Sequence, residues 1–219
     1  MAEIYPDAEL YPSKPEAVAA YLREHGPDPG VSADSLTLLA SYRFDDPGGD
    51  VGMEVHLVTD DTGRLLQVPL TYRGVPHEAL DELLVIDHSV LGRRWVYGGM
   101  SDTEFLTQLV DTIVGAGVGA RHVDMRDGSE ITERVANVRG TGMSDEEAPS
   151  VAGAANPGLS EGSVLVPLMG GLLVFDLQPD LEVDPSERTS NGMLFGTWPG
   201  QDDEVLLATI IPGSRPPVE

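Results

Sequence analysis

The feature that most constrains this 219-residue chain is a change of hydrophobic period near residue 35. SLTLLASYRF (35–44), VGMEVHLVTD (51–60) and RLLQVPLTYR (64–73) are rich in branched and aromatic residues, and only DDPGGD and DDTG stand between them. Connections this short favour hairpins, so three consecutive antiparallel strands are the simplest reading. Asp45-Asp46 and Asp60-Asp61 fall in the turns, where an aspartate characteristically hydrogen-bonds the local backbone. LLVID (83–87) and RRWVYGG (93–99) add two short strands.

Helices flank this run. Ser13-Lys14-Pro15-Glu16 has the form of a capping box, and Val18, Tyr21, Leu22 and His25 follow at the spacing of one buried helical face, ending before Gly26-Pro27. Ser101-Asp102-Thr103-Glu104 reads as a second capping box opening TEFLTQLVDTIVG, with Phe105, Leu106, Leu109 and Ile113 inward and Gly115 closing. The second half reads as strand pairs: HVDM with ITERVANV around Arg126-Asp127-Gly128, SVLVPLM with LLVFDLQ around Gly170-Gly171, and GMLFGTW with EVLLATII around PGQDD. Gly170-Gly171 supplies the positive φ angles that a two-residue hairpin needs. Residues 140–162 are small, polar and proline-containing, the composition of a loop.

Charge narrows the partners. The formal net charge is −24, with 20 acids against 7 bases in residues 1–115 and 17 against 6 thereafter. Such a field repels phosphate backbones and anionic lipid, so neither nucleic acid nor membrane is expected. No run approaches a membrane span, and the acidic start MAEIYPDAELYPSKPE lacks the basic and apolar regions of a signal peptide, which points to the cytoplasm. The chain has no cysteine, which removes thiolate metal sites and cysteine nucleophiles together.

Several motifs fail on context. G158-L-S160-E-G162 matches G-x-S-x-G, but a nucleophile elbow needs a strand turning into a helix, and here a loop precedes and a strand follows. G115-A-G117-V-G119 runs helix, glycines, strand, the reverse of a dinucleotide site, and reads as a hinge between the halves. His77-Glu78 begins H-E-x-x-D and lacks the second histidine of a zinc helix. The five histidines make no sequence-local ligand set, so no metal or cofactor is expected.

One stretch stands apart. HSVLGRRWVYGG (88–99) places two adjacent arginines against a tryptophan in a chain with thirteen bases. Along a strand Arg93, Trp95 and Tyr97 point to one face and Arg94 and Val96 to the other. On one reading Trp95 and Tyr97 are core residues with arginine stems along their edge. On the other, Arg93, Arg94, Trp95 and Tyr97 form a contact patch, since Arg, Trp and Tyr are enriched among interface anchors.

FDDPGG-x-VG-x-E, VPLTYRG and HSVLGRRWVYGG also carry a resemblance. Residues 42–99 resemble the N-terminal cap of bacterial maltokinases, and more closely small separate proteins of high-GC bacteria built from a cap-like domain. The resemblance implies an α+β fold: a curved antiparallel sheet packed on helices (a cystatin-like cap) over 1–115, followed by a second, mainly antiparallel β-rich intermediate-like subdomain over 116–219. In the kinases a following strand brings a lysine to the nucleotide. GLLVFDLQPDLEVDP (171–185) looks like that strand, yet the matching position, Leu173 or Val174, is apolar, and Lys14 is the only lysine anywhere. The catalytic loop and metal-binding residues are not found either. The expectation is a non-catalytic module, a protein-interaction or regulatory component linked to trehalose, maltose and α-glucan metabolism, whose partner is a protein of that metabolism. The alternative is a site for a malto-oligosaccharide or nucleotide in the concave sheet face, for which an exposed Trp95 or Trp198 is the mark. The sequence leaves the oligomeric state open.

Overall fold

The structure, a computed structural model, describes residues 1–144, 148–151, 157–160, 162–181 and 192–213. Strands β1 (Ala2–Ile4) and β2 (Leu10–Tyr11) precede helix α1 (Lys14–His25). Next come β3 (Thr37–Phe44), β4 (Val51–Thr59), β5 (Leu65–Arg73), β6 (Glu82–His88), β7 (Gly92–Gly98) and helix α2 (Thr103–Val114). The second half holds β8 (His122–Asp124), β9 (Asn137–Gly140), β10 (Gly158–Ser160), β11 (Ser163–Leu168), β12 (Gly171–Asp176), β13 (Gly192–Trp198) and β14 (Gln201–Pro212). The architecture is α+β-like and mostly antiparallel β, with a strongly curled half-barrel sheet and two helices.

The first six-stranded sheet runs β2-β6-β7-β5-β4-β3 and the second β10-β11-β12-β14-β13-β9. The three leading strands form as the sequence predicts, and their turns work as expected. Asp46 accepts from the amides of Gly48, Asp50 and Val51, and Asp60 from those of Thr62 and Arg64.

Each helix takes one face of the first sheet. Gly98 lies under Tyr21 of α1 and Gly99 against Phe105 of α2, where an added methyl would stand 3.1 Å from either ring. The paired glycines after Tyr97 thus let both helices approach β7 closely. The α1 stripe is buried as expected at Val18, Tyr21 and Leu22, and half-buried at His25. At its start the Glu16 carboxylate reaches back to the Ser13 amide at 2.7 Å and takes the Ser13 hydroxyl as well.

The second sheet stacks on the α2 side. Gln67 of β5, wholly buried, accepts from the Tyr42 hydroxyl and donates to the carbonyls of Asp176 and Leu207. Buried residues of both sheets form one continuous core.

Four local expectations change. The cap of α2 is Asp102 alone, accepting from the Glu104 amide at 3.1 Å. Gly170 has φ +83, but Gly171 already pairs with Pro212 within β12, so the hairpin turns on Met169-Gly170. The pairing of HVDM with ITERVANV shrinks to a bridge between Val123 and Glu130. β8 pairs parallel with β1, and β9 leaves to pair with β13. Gly117 and Gly119, read as part of a hinge, are laced to α2 and β9: Gly117 donates to Thr112 and accepts from Gly140, and Gly119 donates to Val138. Most of 144–156 lies outside the described residues.

Candidate contact site

The RRW stretch occupies β7, and its register decides what it presents. Tyr11 of β2, Asp87 of β6 and Arg93 of β7 lie opposite one another across three strands, so their side chains share a face. Val85, Trp95 and Arg73 make the next row on that face. Tyr11 is 78% exposed, and the Arg93 side chain is 63% exposed with only a long 3.5 Å contact to Asp87. Two exposed charges at that distance hold each other weakly. Trp95 and Val85 are half-buried, and Val90 and Leu91 stand exposed at the hairpin tip.

The four candidate residues therefore divide. Arg93 and Trp95 belong to the surface row. Arg94 lies on the opposite face beside Ile86, its guanidinium against Gly74. Tyr97 is 1% exposed, and its hydroxyl accepts from the His77 amide at 2.8 Å, so it is a buried prop and presents nothing to a partner. Tyr97 is thus a core residue, Trp95 is half-buried, and Arg93 is exposed beside Tyr11 and Asp87. What the stretch missed is Tyr11, which joins the row from a two-residue strand too short to carry any periodicity.

The neighbouring inner row explains why burial deepens so quickly. Arg73, opposite Trp95, gives Nη2 to Asp102 Oδ1 at 2.7 Å and Nε to Oδ2 at 3.1 Å, and the Thr71 hydroxyl donates to Oδ2 at 2.8 Å. Asp102 is itself buried. One carboxylate thus caps α2 and fixes it against β5.

A second polar cluster lies under α1. Lys14 Nζ sits 3.0 and 2.9 Å from the two oxygens of Glu54, and Arg43 Nη2 lies 2.6 Å from Glu54 Oε2. Burial opposes ionisation of Glu54, yet Arg43 and Lys14 overcome it and hold its carboxyl well below the usual range. His56 Nε2 lies 3.2 Å from the Tyr72 hydroxyl, and burial pulls its pKa down to about 4. His122 is lowered likewise to about 4 by burial and then Arg43, and its Nε2, like Arg43 Nε, has no partner among the described residues. The groups spend their bonds chiefly on one another, and the arrangement fastens α1 to β4.

Other sequence candidates are placed as follows. Gly158–Ser160 forms β10, paired with β11, and so lacks the strand-to-helix elbow. Leu173 is in the core, Val174 is half-exposed on the opposite face, and Lys14 is bound to Glu54. Trp198 is 7% exposed and offers no platform to a sugar. Among the described residues no group of three or more His, Asp or Glu is arranged to hold a metal ion, and no helix is long and apolar enough to cross a membrane.

Residues 27–102 match the family model of the maltokinase N-terminal cap domain. The match takes in β3 to β7 whole, including the RRW strand, and ends at Asp102; α1 and β2 lie before it. The chain therefore carries a maltokinase-cap-like domain. A comparison of the chain with curated proteins returned no match.

Proposed function

We propose that the protein is a non-catalytic, maltokinase-related module that works by binding another protein, in the cytoplasm, within trehalose, maltose or α-glucan metabolism. Residues 1–115 act as the cap-like unit, of cystatin-like form, and 116–219 as an intermediate-like unit. The observation that carries the reading is the row Tyr11, Asp87, Arg93 with Trp95 and Val85 beside it, on strands β6 and β7 of the matched segment. It joins the residue types that anchor interfaces to an apolar hairpin tip. The ionic clusters behind it are committed to holding helices, which favours binding over turnover as the use of this face.

Buried Trp198 and half-buried Trp95 weigh against the malto-oligosaccharide alternative, because stacking on a sugar needs an open ring face. The test is co-purification from native lysate with wild type and with the double variant Tyr11→Ala, Arg93→Glu, both shown to fold by circular dichroism. Wild type is expected to retain an enzyme of glucan or trehalose metabolism, identified by mass spectrometry, and the variant to retain at least tenfold less. Equal retention, or capture of proteins with no link to that metabolism, would overturn the reading.

A further inference from the structure

The outer side of β6 is an open strand edge. β2 covers it only at Asp87 and His88. Beyond them, from Glu82 to Ile86, β6 pairs with β7 on its inner side, and among the described residues no other backbone bond reaches this segment.

Alternation shows which groups face out. The Ser89 amide donates outward to the Glu9 carbonyl, and Asp87 pairs outward with Tyr11. Backbone polar groups in a strand point to alternate sides, so the N–H and C=O of Val85 share that outward direction, while those of Leu84 and Ile86 turn to β7. The bulge between Glu82 and Leu84 ends the regular edge, leaving room for a short added strand of about four residues. Unpaired edges of this kind are templates for another strand.

We propose that this edge docks an extended, basic segment of a partner protein by strand addition, with the outward N–H and C=O of Val85 as the central pair. Charge selects the occupant. Glu9, Glu78, Asp81, Glu82 and Asp87 are all exposed around the edge, and Arg93 and half-buried Arg94 are the bases beside it. A second copy of this chain would bring the same acids and a further −24 charge to the contact. A segment alternating Lys or Arg with branched or aromatic residues places its charges on the face that holds Asp87 beside Val85 and Tyr11, and its apolar side chains on the opposite face beside Leu84. The inference rests on the protein-binding reading above and names the partner's chemistry.

The test selects dodecapeptides from a random phage-displayed library against the purified full chain. Enriched sequences are expected to alternate Lys or Arg with Val, Ile, Leu, Thr or Tyr and to lack proline. Val85→Pro removes the outward amide without touching the β7 ladder, and is expected to weaken the selected peptide at least tenfold. Val85→Thr, which keeps the amide, is expected to bind within twofold of wild type. If Val85→Pro does not fold, hydrogen exchange of wild type decides: the Val85 amide must slow at least tenfold when the peptide binds. No enrichment, acidic or proline-rich winners, undiminished binding by folded Val85→Pro, or a free chain that is dimeric with Val85 already protected would each overturn the inference. A partner captured from lysate that folded Val85→Pro still retains would sink the edge alone. A peptide lost with Val85→Pro, where lysate yields no glucan enzyme, would support the edge and sink the functional reading.

Discussion

Lys14 Nζ rests between the two carboxylate oxygens of Glu54, at 3.0 and 2.9 Å, and so the one lysine of the chain pins the first turn of α1 to the middle of β4. Removing either partner leaves a different remainder. Lys14→Met still leaves Arg43 on Glu54 and is expected to cost about 1–2 kcal/mol, reduced because the lysine is partly solvated. Glu54→Gln leaves Lys14 and Arg43 facing each other in a buried site and is expected to cost about 3–5 kcal/mol. Urea unfolding of the two variants checks the order; a larger loss from Lys14→Met would contradict it.

The same region sets the response to acid. His56 and His122 sit at about 4 against an ordinary 6.5, chiefly because burial disfavours the charged ring. Between those values the unfolded chain binds more protons than the folded one. Stability is therefore complete above about pH 6.5 and falls towards pH 4 by about 1.4 kcal/mol per pH unit for each ring. Glu54 adds loss of the same sign at lower pH, because its folded value lies below the ordinary carboxylate range. The urea midpoint is expected to drop steadily from pH 6.5 downwards, and a midpoint unchanged at pH 5 would contradict the burial of both rings.

Asp102 joins a helix cap to a buried ion pair. Asp102→Ala removes the acceptor for the Glu104 amide and leaves Arg73 without its carboxylate, an expected loss of about 3–5 kcal/mol. Asp102→Asn keeps a cap acceptor and loses the charge, so it should fall between the alanine variant and wild type. Thermal unfolding of the three proteins gives the order, and a neutral Asp102→Ala would contradict the assigned role.

Gln67 joins the two sheets. Gln67→Leu keeps the volume and leaves the Tyr42 hydroxyl and the Asp176 and Leu207 carbonyls without this partner, at an expected cost of about 2–3 kcal/mol. Hydrogen exchange should quicken first where β5 meets the second sheet. Unchanged exchange there would show that packing alone couples the sheets.

How far the chain could be read in advance follows from these residues. The leading strands, both helices and the Asp46 and Asp60 turns were legible because each leaves a local signal: a period of two, a period of 3.6, or an aspartate beside glycine. Glu54 and His56 mark the limit of the same logic, since polar residues at alternate positions of VGMEVHLVT have the pattern of a solvent face and yet are buried. That face is covered by α1, whose Lys14 pairs with Glu54 across forty residues of sequence. Asp102 hid inside a capping pattern whose serine proved idle. β1 and β2 are two or three residues long and show only in their pairing, which is why Tyr11 could not be joined to Arg93 in advance. Tyr97 follows the alternation correctly, but its burial shows only in the fold, where its hydroxyl meets the amide of His77, twenty positions away.

The proposed function has this cap-like chain bind a protein partner without itself transferring phosphate. The most direct measurement is turnover by the purified chain with ATP, magnesium and maltose, following both ATP loss and maltose phosphate. Rates equal to those of a heat-killed control are expected. Maltose phosphate formed above that control would contradict it.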